Sequence, residues 1–410
     1  MIQPYLNKHL KKIQTGVRSS ALQLCRRVID RIYYSDAGQF DHIWKSECST
    51  ISVAFEYNIP YKTFLHPAYP LSILSEHCNI LPLISPLYID LCFPLIKVDS
   101  KTLTCCRILH APSLDDYSKL GYLECRDLDV LVITKKSEEI IKAIFESLTR
   151  GCCIAANVND YYIHGMGPYL CRDRRHPILI NGWDSKKSCF CVVSYLKNGN
   201  YASTSVPTCD LIKGLYSRGS FDKTTIYNHA MVPYFRSFRP ILNQTPNVNA
   251  RGIAVQLRDY LNSKKPSANY LEFIMINQFK TSLRIAPPLQ PCIYGIKCFE
   301  AFANYFNNAC KNVAFLDMRM SRVLSEHKEI MSMRLKYLER IGFLERSAEL
   351  STHFEPIRQW AKALHFCLFS HLVSRQSQHE RIAGLVDQMP AIRRREEEIL
   401  TAVIQRLELI

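Results

Sequence analysis

At 410 residues the chain exceeds what one small core requires, so two or three domains are expected. Hydrophobic residues make up 47% and charged residues 22%, the balance of a water-soluble globular chain. Only 14 glycines are present, and the nearest approach to a phosphate-binding glycine loop, "GMGPYL" from Gly165, lacks its third glycine, which argues against a dinucleotide site. The net charge is +15, from 52 Lys and Arg against 37 Asp and Glu, which favours an acidic partner. The basic residues are dispersed, with no Lys/Arg block and no nucleic-acid motif, so nucleic acid is disfavoured as that partner.

The first predicted element is an amphipathic helix over residues 5–34, with Leu10, Ile13, Val17, Leu22, Val28 and Ile32 three or four apart or nearly so. The start "MIQPYLNKHLKK" lacks the apolar core of a signal peptide. "SDAGQ" at 35–39 ends this extension, which we assign to residues 1–40. From 41 to 215 the pattern is mixed. "STISVAFEY" (49–57) is predicted as a helix ending before Pro60. "ILPLISPLYIDLCFPLI" (80–96) is interrupted by prolines and Asp90, so it is expected to be buried extended chain and not a membrane span. "DVLVITK" (129–135) is a predicted strand. "SEEIIKAIFESLTRG" (137–151) is a predicted helix, capped by Ser137 and ended by Gly151. "CCIAANV", "HPILING" and "CFCVVSYL" then follow as neighbouring strands, with "WDSKK" turning between the last two. Residues 216–290 have no clear pattern and are taken as a connecting region of mixed structure, ended by "PPLQP" at 287–291. Residues 291–410 are predicted as a helical bundle.

The 17 cysteines form no CxxC pair, and their odd number and irregular spacing point to reduced thiols in a cytoplasm. Cys105–Cys106, Cys152–Cys153 and Cys189/Cys191 do not match a zinc pattern, so no metal is expected. His327 falls mid-helix among charges and is expected to be solvated or at an interface. Glu326, Glu329 and Arg334 are expected to form ion pairs on a helix face, and "RRREEEI" (393–399) a solvated one.

One ordering of residues could carry chemistry. A thiol site needs a Cys at a helix N-terminus, where the dipole helps stabilise the thiolate, a His at a strand end, and a group on a neighbouring strand to orient the imidazole. Cys48 precedes the predicted helix at 49–57, His176 opens a predicted strand, Asp184 lies in the next turn and Ser194 on the next strand. Each residue also has a plain structural reading. Cys48 fits a buried thiol, His176 a strand-edge residue, and Asp184 in "GWD" a turn former.

The run "GCCIAANVNDYYIHGMGPYLCRDRRHPILINGWDSKKSCFCVVSY" resembles the core of the butirosin-biosynthesis protein H family of papain-like proteins. Asn159-Asp160-Tyr161-Tyr162 matches an Asp-aromatic element, and His176, Gly182 and Asp184 match a His-led strand ending in Gly-aromatic-Asp. "CVVSY" matches a third element in which Ser194 stands where that family carries Asp. "YGIKCFEAFANYF" and "LSEHKEIMSMRLKYLERIG" are similar to its helical part, and the likeness spans residues 41–410. The resemblance implies an α+β fold: a papain-like, cysteine-peptidase-like domain with an antiparallel sheet at 41–215, followed by the α-helical domain.

It also implies an accessory protein of nonribosomal peptide or antibiotic biosynthesis. Such a protein performs thiol-dependent acyl transfer, or amide hydrolysis, on an acyl group held by the phosphopantetheine of an acidic carrier protein or synthetase. The chain itself would carry no cofactor. Cys48 would be the nucleophile, His176 the base, and Asp184 or Ser194 the orienting group; a strict count places Lys45 or Ser46 at the nucleophile position. The missing carboxylate at Ser194 opens the alternative of a catalytically silent binding or scaffold module for the same partner. The positive charge agrees with an acidic carrier through faster encounter.

Overall fold

A computed structural model of the chain describes residues 50–94, 107–108, 114–128, 137–217, 235–241, 248–265, 292–311, 316–345, 349–374 and 378–410. The N-terminal helix expected at 5–34, Cys48, the strand expected at 129–135 and "PPLQP" lie outside these residues.

The chain enters through β1 (Ile51–Ser52), then α1 (Leu65–Ser75), α2 (Leu81–Ile84), β2 (Leu91–Pro94), β3 (Arg107–Ile108), α3 (Leu114–Lys119) and β4 (Leu123–Asp127). There follow α4 (Ser137–Thr149), β5 (Cys153–Asn159), β6 (Arg175–Asp184), β7 (Cys189–Tyr195), β8 (Tyr201–Pro207), α5 (Thr208–Tyr216), β9 (Phe235–Pro240) and α6 (Ala250–Leu261). The last part comprises β10 (Cys292–Tyr294), α7 (Cys298–Lys311), α8 (Met318–Arg340), α9 (Leu350–Ser374), α10 (His379–Asp387) and α11 (Met389–Leu407). The fold is α+β, as expected.

Seven strands form one antiparallel sheet in the order β4-β9-β5-β6-β7-β8, with β1 added to β6. The three predicted strands are its centre: β5 and β6 pair from Ile154↔Ile180 to Asn159↔Arg175, and β6 pairs β7 from Asp184↔Cys189 to Leu179↔Val193. Their runs of Ile, Val, Leu and Ala are buried because helices cover the sheet. α4 is the predicted helix: Ile140, Ile141, Ile144, Phe145 and Leu148 recur three or four apart and are buried. Gly151, at φ +71, takes the left-handed conformation that ends it.

Several segments depart from expectation. Of the helix expected at 49–57, the described residues 50–57 are not helical. Ile51, Val53 and Phe55 alternate with Ser52 and Ala54, and Ile51–Ser52 pairs with Trp183 and Gly182 as β1. The run at 80–96 supplies the short helix α2 and the buried strand β2 instead of continuous extended chain. The region 216–290 contributes β9, inserted between β4 and β5, and α6, capped where Asn249 accepts the Gly252 amide at 3.0 Å.

A three-stranded sheet, β10-β2-β3, ties residues 91–94 to the helical part through β10, and one apolar core runs through both parts. α8 is stitched to the early chain by polar side chains. Arg334 is fully buried and donates to Ser85 O (2.6 Å) and Ile84 O (3.3 Å), carbonyls left open at the end of α2. His327 is likewise buried, and its Nε2 donates to Ile89 O at 2.7 Å, so it is a core residue and not a solvated one. Glu329 does pair across helices, 2.6 Å from Arg358. In "RRREEEI", Glu396 is wholly buried against Lys328 instead of lying on a solvated face.

Candidate functional site

Six residues of the segment "HPILINGWD" have a plain structural account. Ile178, Leu179 and Ile180 fill the core. Gly182 admits β1: a Cβ there would stand 2.7 Å from Ile51 O. Trp183 is 2% exposed and packs on Phe145 (5.0 Å between ring centres) and Phe190 (4.9 Å). Asp184 closes the turn, accepting the amides of Lys186 (3.0 Å) and Lys187 (3.2 Å). These are structural duties.

His176 and Asp184 stand at opposite ends of β6, eight residues apart. At the usual rise of about 3.3 Å per residue that is ~26 Å. Asp184 therefore cannot orient the His176 imidazole, which corrects its expected role. Cys48 lies outside the described residues. The strand that follows it, β1, offers no helix N-terminus, and Thr50 is bonded to Ser185, at 2.7 Å, at the Asp184 end of β6.

Ser194 is the candidate that the fold does bring to the His176 end. It follows Val193, the last residue of β7 paired with β6, and is fully buried. Beyond that pair the two strands separate, and the Tyr69 hydroxyl from α1 donates to both Pro177 O (3.0 Å) and Val193 O (3.2 Å). The Ser194 hydroxyl adjoins Tyr69. A serine cannot supply the carboxylate that stabilises an imidazolium.

The ends of β5 and β6 are tied by a network that the sequence offered only as a motif. Asn159 Oδ1 accepts the Tyr161 (3.1 Å) and Arg174 (3.3 Å) amides, and its Nδ2 donates to Asp173 Oδ1 at 3.0 Å. Asp160 is buried, and its Oδ2 takes both Nε (3.1 Å) and a terminal nitrogen (2.7 Å) of Arg174. Burial raises its carboxyl to about 6 against the opposing pull of Arg174. Arg175 turns to α5, donating to Leu215 O (3.1 Å) and Ser217 O (2.9 Å) at that helix's C-terminal end.

His176 thus lies beside Arg174, which is paired with Asp160, and beside His66. Its Nδ1 is buried with no hydrogen-bond partner among the described residues. Burial first, then Arg174 and His66, hold the imidazole neutral and lower its pKa to about 3, while the Pro177 carbonyl opposes them weakly. His66 belongs to the first turn of α1, the helix that begins at this end of the sheet and opens Phe64-Leu65-His66-Pro67, without a thiol. An imidazole of such low basicity is poorly matched to taking a thiol proton near neutral pH. What the arrangement offers is a set of polar groups: the Arg174 guanidinium paired with Asp160, the Ser194 hydroxyl beside Tyr69 and, next along β7, the Tyr195 hydroxyl, buried and without a partner among the described residues.

Among the described residues, no helix is long and apolar enough to cross a membrane. No family model matches the chain, and no curated protein matches it either.

Proposed function

We propose that the chain is a papain-like protein that binds an acidic carrier protein, of the kind bearing a phosphopantetheine arm, without transferring its acyl group. The reading rests on the sequence resemblance to the butirosin H family together with the antiparallel sheet and the helix starting beside His176. One observation carries the choice of binding over catalysis. At the position where a papain-like base would act, the imidazole is held neutral by burial and by Arg174 and His66, and the helix that begins there opens with Leu65-His66 and no cysteine. The carrier as partner is supported by the net charge of +15.

Thiol mapping tests this. On brief treatment with iodoacetamide near neutral pH, Cys48 is expected to be alkylated no faster than the exposed thiols Cys78 and Cys171. Cys48 labelling well ahead of those two, and slowed by His176→Ala, would restore the acyltransferase.

A further inference from the structure

The large sheet ends on two different kinds of strand. β4, at one edge, is five residues long, "LECRD", and carries Glu124, Arg126 and Asp127. Glu124 is tied to Arg239 and Asp127 to Arg236, both on β9. Charged side chains on a short edge keep other strands from adding to it. β8, at the other edge, is seven residues long, "YASTSVP", and has no charged side chain. Among the described residues it pairs with β7 alone.

The register decides which backbone groups of β8 are already used. At the turn between β7 and β8, Leu196 N–H donates to Asn200 O at 2.9 Å. Bonded residues alternate along an antiparallel pair, so Ala202, Thr204 and Val206 direct their N–H and C=O groups to β7. Tyr201, Ser203 and Ser205 direct theirs outward. Pro207 falls in the outward phase, where its missing N–H takes no bond from β7. Among the described residues, the outward amides and carbonyls of Ser203 and Ser205 have no hydrogen-bond partner. Ser203 is exposed, and Ala202, Thr204 and Ser205 are half-buried.

Charges lie beyond both ends of this strand. Before its start, the turn from β7 carries Lys197, which is exposed. Beside its end, where Cys189 pairs with Pro207, the turn from β6 carries Lys186 and Lys187, and α5 carries Asp210 and Lys213. Lys187 pairs with Asp184 (3.4 Å) and Lys213 with Asp210 (3.8 Å), so those charges cancel. Lys186 and Lys197 have no ion pair among the described residues. They flank a strand of seven residues that spans ~20 Å. A second copy of β8 added antiparallel would turn Lys197 of each copy towards Lys186 of the other and be repelled. An extended segment with carboxylates at both ends would be attracted, in keeping with the net charge of +15.

We propose that β8 takes an extended acidic segment of a partner protein as an added strand, bonded through Ser203 and Ser205 and flanked by Lys186 and Lys197. Such binding needs neither a carrier arm nor chemistry at His176. Calorimetry on the full chain with a capped peptide, Asp-Asp-Val-Thr-Val-Thr-Val-Asp-Asp, tests it. Two controls accompany it: the same peptide N-methylated through its Val-Thr core, and the same core flanked by Lys. The acidic peptide is expected to bind, and each control at least about tenfold more weakly. Ser203→Pro removes an outward amide and no bond to β7, and is expected to weaken binding about tenfold with unchanged melting. Lys186→Gln with Lys197→Gln is expected to weaken it a few-fold at low salt and not at high salt. In hydrogen exchange at single-residue resolution, the Ser203 and Ser205 amides are expected to exchange fast in the free chain and to slow when the peptide is present. No binding, or binding indifferent to N-methylation, overturns the added strand. Equal binding of the Lys-flanked peptide overturns the acidic partner. Slow exchange of both amides in the free chain overturns the open edge, as does a dimer in sedimentation that Ser203→Pro abolishes. Should Ser203→Pro lower the melting temperature, the lysine variant and the exchange of Ser203 and Ser205 decide.

Discussion

At the junction of α6, α8 and α11, Lys328 holds its ammonium 2.8 Å from one Glu396 oxygen and 2.7 Å from the other, and 3.0 Å from the Tyr260 hydroxyl, which itself donates to Glu396 at 3.1 Å. All three side chains are wholly buried, and the Phe299 ring, centred 4.6 Å from the ammonium, covers it. At the opening of β6, where Asp160 and Ser194 are fully buried and His176 and Tyr195 partly so, the polar groups are less satisfied. His176 Nδ1, Tyr195 Oη and Asp160 Oδ1 are buried without partners among the described residues. The first cluster meets most of its bonding capacity internally, one Glu396 oxygen through the ion pair with Lys328 alone, and so pins helices together. The second retains capacity that folding alone does not use, which is why the proposed binding is assigned to it. Burial of charge, taken by itself, distinguishes neither; the pattern of unmet donors does.

Breaking the satisfied cluster gives the largest expected effect. Lys328→Met leaves Glu396 buried without its cation and is expected to cost about 3–5 kcal/mol in urea unfolding, much of it recovered by adding Glu396→Leu. Equal losses in the single and double variants would mean that the pair is not coupled. Arg174→Met probes the intermediate case, because Asp160 is fully buried and Arg174 only partly. A loss of about 2 kcal/mol is expected at pH 7, shrinking at pH 5. The sign follows from the raised carboxyl: without Arg174 its pKa climbs above about 6, so at pH 5 it is protonated and no longer needs the cation. A loss that is the same at both pH values contradicts this.

His176 gives a pH signature of the opposite sense. Its pKa is about 3 when folded, against about 6.5 for an unperturbed histidine. Between these values the unfolded chain binds one more proton than the folded one. Its contribution is therefore intact above pH 6.5 and lost as pH falls, by about 1.4 kcal/mol per unit. His176→Gln is expected to flatten the stability profile by that slope, and an unchanged slope would place the imidazole in contact with solvent. The smallest effect is expected at Tyr195→Phe. Removing a hydroxyl without a partner should leave the unliganded protein unchanged or more stable by up to about 1 kcal/mol, and a marked loss would show that the hydroxyl is already bonded.

Much of the sheet was legible in the sequence, because β5, β6 and β7 carry β-branched runs bounded by turn formers and α4 has a clean helical period. α1 was not. Its residues are buried on nearly every side, which erases amphipathic periodicity, and Pro67 and Pro70 argue locally against a helix. β9, "FRSFRP", lacks alternation yet lies between two strands, so its position depends on tertiary pairing. The alternation of Ile51, Val53 and Phe55 was a signal for β1 that a helix assignment overlooked. The candidate site was half visible: chain order pointed to His176 and Ser194, which the fold brings to one end of the sheet. The same order offered Asp184, because spacing along a strand does not reveal that its two ends are ~26 Å apart.

The central claim is that the His176 end of the sheet binds a carrier arm and performs no chemistry on it. Mixing the chain with an acyl-loaded carrier protein, and following complex formation together with the mass of the carrier, tests it most directly. The account predicts a salt-sensitive complex in which the acyl thioester stays intact on the carrier. Loss of the acyl group from the carrier, abolished by His176→Ala or Cys48→Ala, would contradict it.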